Sequence, residues 1–165
     1  IGNSPGGEGD TNGGVADPNL YTDPQEAAHF VEETGVDALA VAVGTVHGVY
    51  RGKPELDIQR LAQIRDQVGV PLVLHGGSGL SNADFRAAIA NGIAKINVYT
   101  DMSQAAMGKI RTVDTFPKEL GFPEFMDLVT EAIKEAVAEK MQIFGSVGKS
   151  GLADGCCFVP LGTSR

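Results

Sequence analysis

Three short apolar runs constrain this chain more than any other feature. Residues 37–43 read DALAVAV, 71–75 read PLVLH and 94–99 read AKINVY. The first is apolar nearly along its length rather than at alternate positions, which predicts a strand covered on both faces, as in a parallel sheet, and the other two are read as the next strands. Helical periodicity fills the gaps. Thr22 or Asp23 caps a helix with Pro24 in its first turn, Glu26 supporting the cap, Ala27, Ala28, Phe30 and Val31 on one face, and Gly35 as its stop. Residues 55–68 place Leu56, Ile58, Leu61, Ile64 and Val68 toward a core. Ser81 or Asn82 caps a helix through Ala90 with Phe85, Ala88 and Ile89 buried, and Asn91-Gly92 closes it. Further helices are expected from about Asp101 and over roughly 123–142. Strands alternating with helices build a parallel sheet through right-handed crossovers, so the fold class is α/β.

In such sheets chemistry gathers at the C-terminal ends of the strands. The first strand runs into Gly44, Thr45, His47 and Gly48. The second ends on His75, followed by Gly76, Gly77, Ser78 and Gly79. The third carries Asn97, then Thr100 and Asp101. Parallel, adjacent strands put all three clusters on one rim. Two imidazoles from neighbouring strand ends can converge on a zinc ion, which needs about three protein ligands and one open position for catalysis. Glycines after His75 let backbone amides approach a ligand, Ser78 adds a hydroxyl, and the helix starting near Ser81 adds its dipole, so an anion cradle is expected. An acid–base or hydrogen-bonding pair of histidines without metal is the competing reading. His29 has no converging polar groups and is assigned no role. GSVGKS at 145–150 lacks the earlier glycine of a phosphate-binding P-loop, where Ile143 stands, and no strand precedes it.

Composition narrows the partners. With 13 basic and 21 acidic residues the net charge is −8, which argues against nucleic acid and against an anionic membrane surface. Cys156 and Cys157 are adjacent, so they offer no disulfide framework. No apolar run reaches the ~18 residues of a membrane span. The first residues, IGNSPGGEGD, hold neither a basic start nor an apolar stretch. Together these predict a cytoplasmic protein.

The segments AVAVGTVHGVY, PLVLHGGSGL and AKINVYTDM, in that order, resemble the second half of class II, metal-dependent ketose-bisphosphate aldolases. The resemblance runs from about Tyr21 to about Lys149. It implies a TIM (β/α)8 barrel of which this chain covers about the last three strands and their helices; at 165 residues it is shorter than the roughly 200–250 of a closed barrel. It implies Zn2+ bound by His47 and His75, a phosphate held by Gly48, Gly76, Gly77 and Ser78 with Thr100, and Asn97 on the dihydroxyacetone phosphate portion of a sugar bisphosphate. A monovalent cation, Na+ or K+, is implied near the two histidine loops. The implied reaction is cleavage of a ketose 1,6-bisphosphate to dihydroxyacetone phosphate and glyceraldehyde 3-phosphate.

Departures from the family pattern are specific. The family takes its third zinc ligand and its acid–base aspartate from an Asp-His pair, whereas here the histidines follow Ala28, Val46 and Leu74. The acid–base aspartate is therefore expected in an N-terminal half, and the isolated chain is expected to have little activity. Tyr99 leaves fructose against tagatose preference open. The expected organisation is a glycine-rich surface loop over 1–20, the half barrel over 21–148 and an appended or disordered tail over 149–165. A half barrel leaves two sheet edges, so a homo-oligomer or a partner half is expected. The alternative function is a non-catalytic phosphosugar-binding half barrel that needs a partner chain.

Overall fold

A computed structural model of the protein describes residues 2, 4, 14–48, 50–117 and 119–149. Cys156, Cys157 and all but Lys149 of the expected tail lie outside the described residues. Among the described residues, three parallel strands lie in the order β1 (Leu39–Val41), β2 (Leu72–Leu74), β3 (Ile93–Ile96). Five α-helices surround them: α1 (Pro24–Thr34), α2 (Ile58–Gln67), α3 (Asn82–Ala90), α4 (Thr100–Ile110) and α5 (Phe122–Phe144). The expected alternation is the observed one, and no helix of the described residues is long and apolar enough to cross a membrane.

Local chemistry explains where α1, α2 and α3 begin. The Asp23 carboxylate accepts from the backbone N–H groups of Gln25 and Glu26, and Gly35 closes α1 in the left-handed conformation at φ 64°. Thr22 has a different task. It is buried, its hydroxyl accepts from the Ala42 N–H at 2.8 Å, and its own N–H donates to the Ala42 carbonyl, which ties the start of α1 to the end of β1. Asp57 caps α2 and its N–H reaches the Val43 carbonyl at 2.9 Å. Ser81 and Asp84 form a reciprocal capping box at the start of α3.

Leu39, Val41, Leu72, Leu74 and Ile93 turn one face of the sheet toward Leu61, Ile64, Phe85 and Ala88 of the helices. Phe144 of α5 stacks edge-on against Phe85 at 5.0 Å between centroids, and α5 also packs along α4. The other face is not covered by the described residues, which corrects the expectation of strands buried on both sides. Ala40, Val73 and Lys95 are register partners on that face; Ala40 and Lys95 are exposed and Val73 is half-buried. The register slips between Leu72 and Val73, so Ala94 is an extra residue in β3, a bulge that raises local twist. The strands are also shorter than the apolar runs. Asn97 to Tyr99 leave the ladder and lead into α4, with Tyr99 exposed at its N-cap.

Candidate functional site

The strand ends deliver the polar clusters to one place. His47, Gly48, Gly76, Gly77, Ser78, Asn97 and Thr100 line a single open cavity of about 410 Å³, with Ile96, Val98 and Tyr99 completing the wall. His75 faces a second cavity of about 260 Å³, formed with Gly2, Ser4 and residues of β1, and His47 lines both. The imidazole pair therefore stands in the partition between the two cavities, with ring centroids 5.6 Å apart in an edge-to-face arrangement.

Each ring has a partner that sets its orientation. Nδ1 of His47 lies 3.3 Å from the Ser4 carbonyl, which makes Nδ1 the protonated nitrogen and Nε2 the one with a lone pair. Part of the segment expected to be a free surface loop thus reaches the site. The Asn97 side-chain amide lies 3.1 Å and 3.2 Å from the two nitrogens of His75, so it donates to whichever carries the lone pair. Asn97 was expected on substrate; here its amide is turned to the imidazole.

Gly76 and Gly77 line the cavity and also let the loops pack closely. Gly76 sits at φ +66°, and a Cβ there would meet the Val46 carbonyl oxygen at 2.3 Å. The two histidine loops pack backbone to backbone, and only glycine permits it. A Cβ on Gly77 would meet Ile96 and the Asn97 carbonyl, and one on Gly79 the ring of Tyr50. The helix start that reaches the cavity is not the expected one. The N-terminus of α3 is served by its own capping box with the Asp84 carboxylate, whereas Thr100 at the start of α4 is what lines the cavity. That start is pinned from two sides: the Asp101 N–H donates to Ser78 Oγ at 3.3 Å, and the Asp101 carboxylate pairs with Lys140 of α5 at 2.7 Å.

The sequence assigns Tyr50 no role and marks Thr45 only as a member of the first strand-end cluster. The Tyr50 hydroxyl accepts from the Val46 N–H at 3.2 Å and donates to the Gly76 carbonyl at 2.8 Å, joining the two loops. An aromatic residue within a glycine-rich polar loop, three positions after His47, is the signal that could have found it. Thr45 is 2% exposed and its hydroxyl has no hydrogen-bond partner among the described residues.

A zinc ion fits the pair in part. Two imidazoles on one tetrahedral zinc have centroids about 5 Å apart, given Zn–N distances of about 2.0–2.1 Å. The observed separation is close to that. No group of three His, Cys, Asp or Glu converges among the described residues, so these supply two donors and not a complete set.

The sequence matches the family model for class II fructose-bisphosphate aldolase over residues 1–149. The chain belongs to the class II fructose-bisphosphate aldolase family. Curated relatives of this aldolase family include the Escherichia coli K12 protein YdjI, described as uncharacterized. It is 49% identical over 130 residues, covering 79% of this chain and 45% of YdjI. A Staphylococcus aureus Mu50 protein named fructose-bisphosphate aldolase is 43% identical, over 82% of this chain and 48% of its own length. The crystal structure described as the YdjI aldolase matches with a TM-score of 0.73 at 48% identity, covering 79% of this chain and 48% of that one. A Coccidioides immitis structure, provisionally described as a fructose-1,6-bisphosphate aldolase, matches with a TM-score of 0.78 at 33% identity, over 92% of this chain and 53% of that one. The chain spans about half the length of the aldolase relatives it matches.

Proposed function

We propose that this chain carries the C-terminal half of a zinc-dependent aldolase that cleaves a ketose 1,6-bisphosphate to dihydroxyacetone phosphate and glyceraldehyde 3-phosphate. The observation that carries the reading is the convergence of His47, the glycine–serine turn, Asn97 and Thr100 on one cavity, with His75 in its partition. On this reading the three strands are the last three of an eight-stranded barrel, built from residues 21–148, and the exposed face bearing Ala40, Val73 and Lys95 is the inside of that barrel.

His47 and His75 would hold the zinc, with a further donor from outside the described residues. A bound zinc would polarise the substrate carbonyl as a Lewis acid. The Ser4 carbonyl orients the His47 ring through Nδ1, while the Asn97 amide contacts both nitrogens of His75 and would release the lone pair when zinc binds. The Gly76-Gly77-Ser78 turn and Thr100 bind the phosphate with backbone N–H groups, hydroxyls and the start of α4. Asn97 would exchange its histidine contact for a substrate hydroxyl. The buried Thr45 hydroxyl, without a partner among the described residues, supports a Na+ or K+ site beside the histidine loops, since leaving it unsatisfied costs about 1–3 kcal/mol.

Phosphate binding tests the reading on the chain itself. Titrating dihydroxyacetone phosphate while following backbone amide resonances should move Gly76, Gly77, Ser78 and Thr100 before any others. Shifts confined to other parts of the chain, or none at millimolar ligand, would overturn it. The presence of only two donors among the described residues favours a second reading, a phosphosugar-binding half that does no chemistry. Cleavage of sugar bisphosphate on adding the N-terminal half of a relative decides for the enzyme.

A further inference from the structure

We propose that Tyr50 is a positioning residue whose hydroxyl sets the separation of the two histidine-bearing loops. The inference rests on reading His47 and His75 as joint ligands of one metal ion. The hydroxyl is the shared atom of a two-bond bridge. It takes the Val46 N–H, adjacent to His47, at 3.2 Å and gives its proton to the carbonyl of Gly76, adjacent to His75, at 2.8 Å. The residues lining the main cavity do not include Tyr50, so it acts through its neighbours and not on the ligand. The ring is itself held. It packs on Gly79, where a Cβ would come within 3.2 Å of Cδ2, and the backbone of Tyr50 bridges to Gly14. Loop contact at Gly76 is already backbone to backbone, so the two loops cannot close further. The hydroxyl is what resists their opening, so the bridge holds the histidine spacing near one distance.

Tyr50→Phe keeps the ring and removes the bridge. The expected result is a variant with unchanged secondary structure, in which the Val46 amide exchanges with solvent at least tenfold faster. Affinity for Co2+, followed by its visible absorption spectrum, should fall about 10–100-fold, the range for groups that orient metal ligands. Unchanged Val46 exchange, or unchanged Co2+ affinity with faster exchange, overturns the proposal. Should the wild-type chain take up no Co2+, the metal reading fails by itself. The ring-nitrogen resonances of His47 and His75 in metal-free protein then decide: shifts in both on Tyr50→Phe uphold the bridge, and no shift overturns it. Were the variant unfolded, the wild-type protein would still answer. A slowly exchanging Tyr50 hydroxyl proton close to the Val46 amide upholds the bridge, and its absence overturns it.

Discussion

At the residue scale, Gly76 shows how a small side chain can carry a large constraint. Its φ of +66° alone disfavours any residue with a Cβ, by about 1–2 kcal/mol. The Val46 carbonyl at 2.3 Å adds a backbone clash that no rotamer relieves. Gly76→Ala should therefore destabilise the chain by about 2 kcal/mol or more in urea unfolding. Gly52→Ala, with nothing within 4 Å, should fall within about 0.5 kcal/mol of wild type. Tyr50 gives a pH prediction. Burial, opposed by the hydrogen bond from Val46 and assisted by Asp84, pushes its hydroxyl up to about 12. An unfolded tyrosine titrates near ~10, so as pH rises the unfolded chain loses the proton first. The stability held by the protonated hydroxyl is complete below about pH 10 and is lost as pH climbs toward 12. Stability measured across that window should fall in wild type, and the part of the fall due to this group should vanish in Tyr50→Phe.

At the element scale, capping chemistry made two of the five described helices readable in advance. Asp23 with Pro24 and Gly35 bracket α1, and Ser81 with Asp84 opens α3, because these side chains satisfy orphan backbone groups by local geometry. Ser81→Ala should cost about 1 kcal/mol in the unfolding free energy and leave the far helices unaffected; no loss would mean the box contributes nothing. The strands were less legible. Apolar runs mark them, yet pairing covers Leu39–Val41 alone within the first run, and Ala94 bulges from the third. Hydrogen-bond register is a property of two strands at once, and one strand's composition does not contain it. The same limit applies at the site. His47, His75 and the glycine–serine turn were visible because chemistry-bearing residues follow apolar runs. The close packing of the glycines and the choice of α4 over α3 at the cavity depend on contacts between loops far apart in sequence, so no local pattern signals them; for Tyr50 the aromatic residue in a polar loop marks the position, but its bond to Gly76 is equally non-local.

At the scale of the whole molecule, the sheet is covered by helices on one face and presents Ala40, Val73 and Lys95 on the other. Unpaired parallel edges invite pairing. Sedimentation of the chain over a range of concentrations should show self-association, or uptake of an added N-terminal half from a relative. A monomer that ignores both would contradict the half-barrel account. The central claim is that the ends of β1 and β2 deliver two imidazoles to one metal ion. Its most direct test is calorimetric titration of zinc into the chain, into His47→Ala and into His75→Ala. The account predicts one zinc per chain, bound weakly because the described residues supply two donors, with affinity at least tenfold lower in each variant. Folded protein that binds no zinc, or binds it equally well without either histidine, would contradict it.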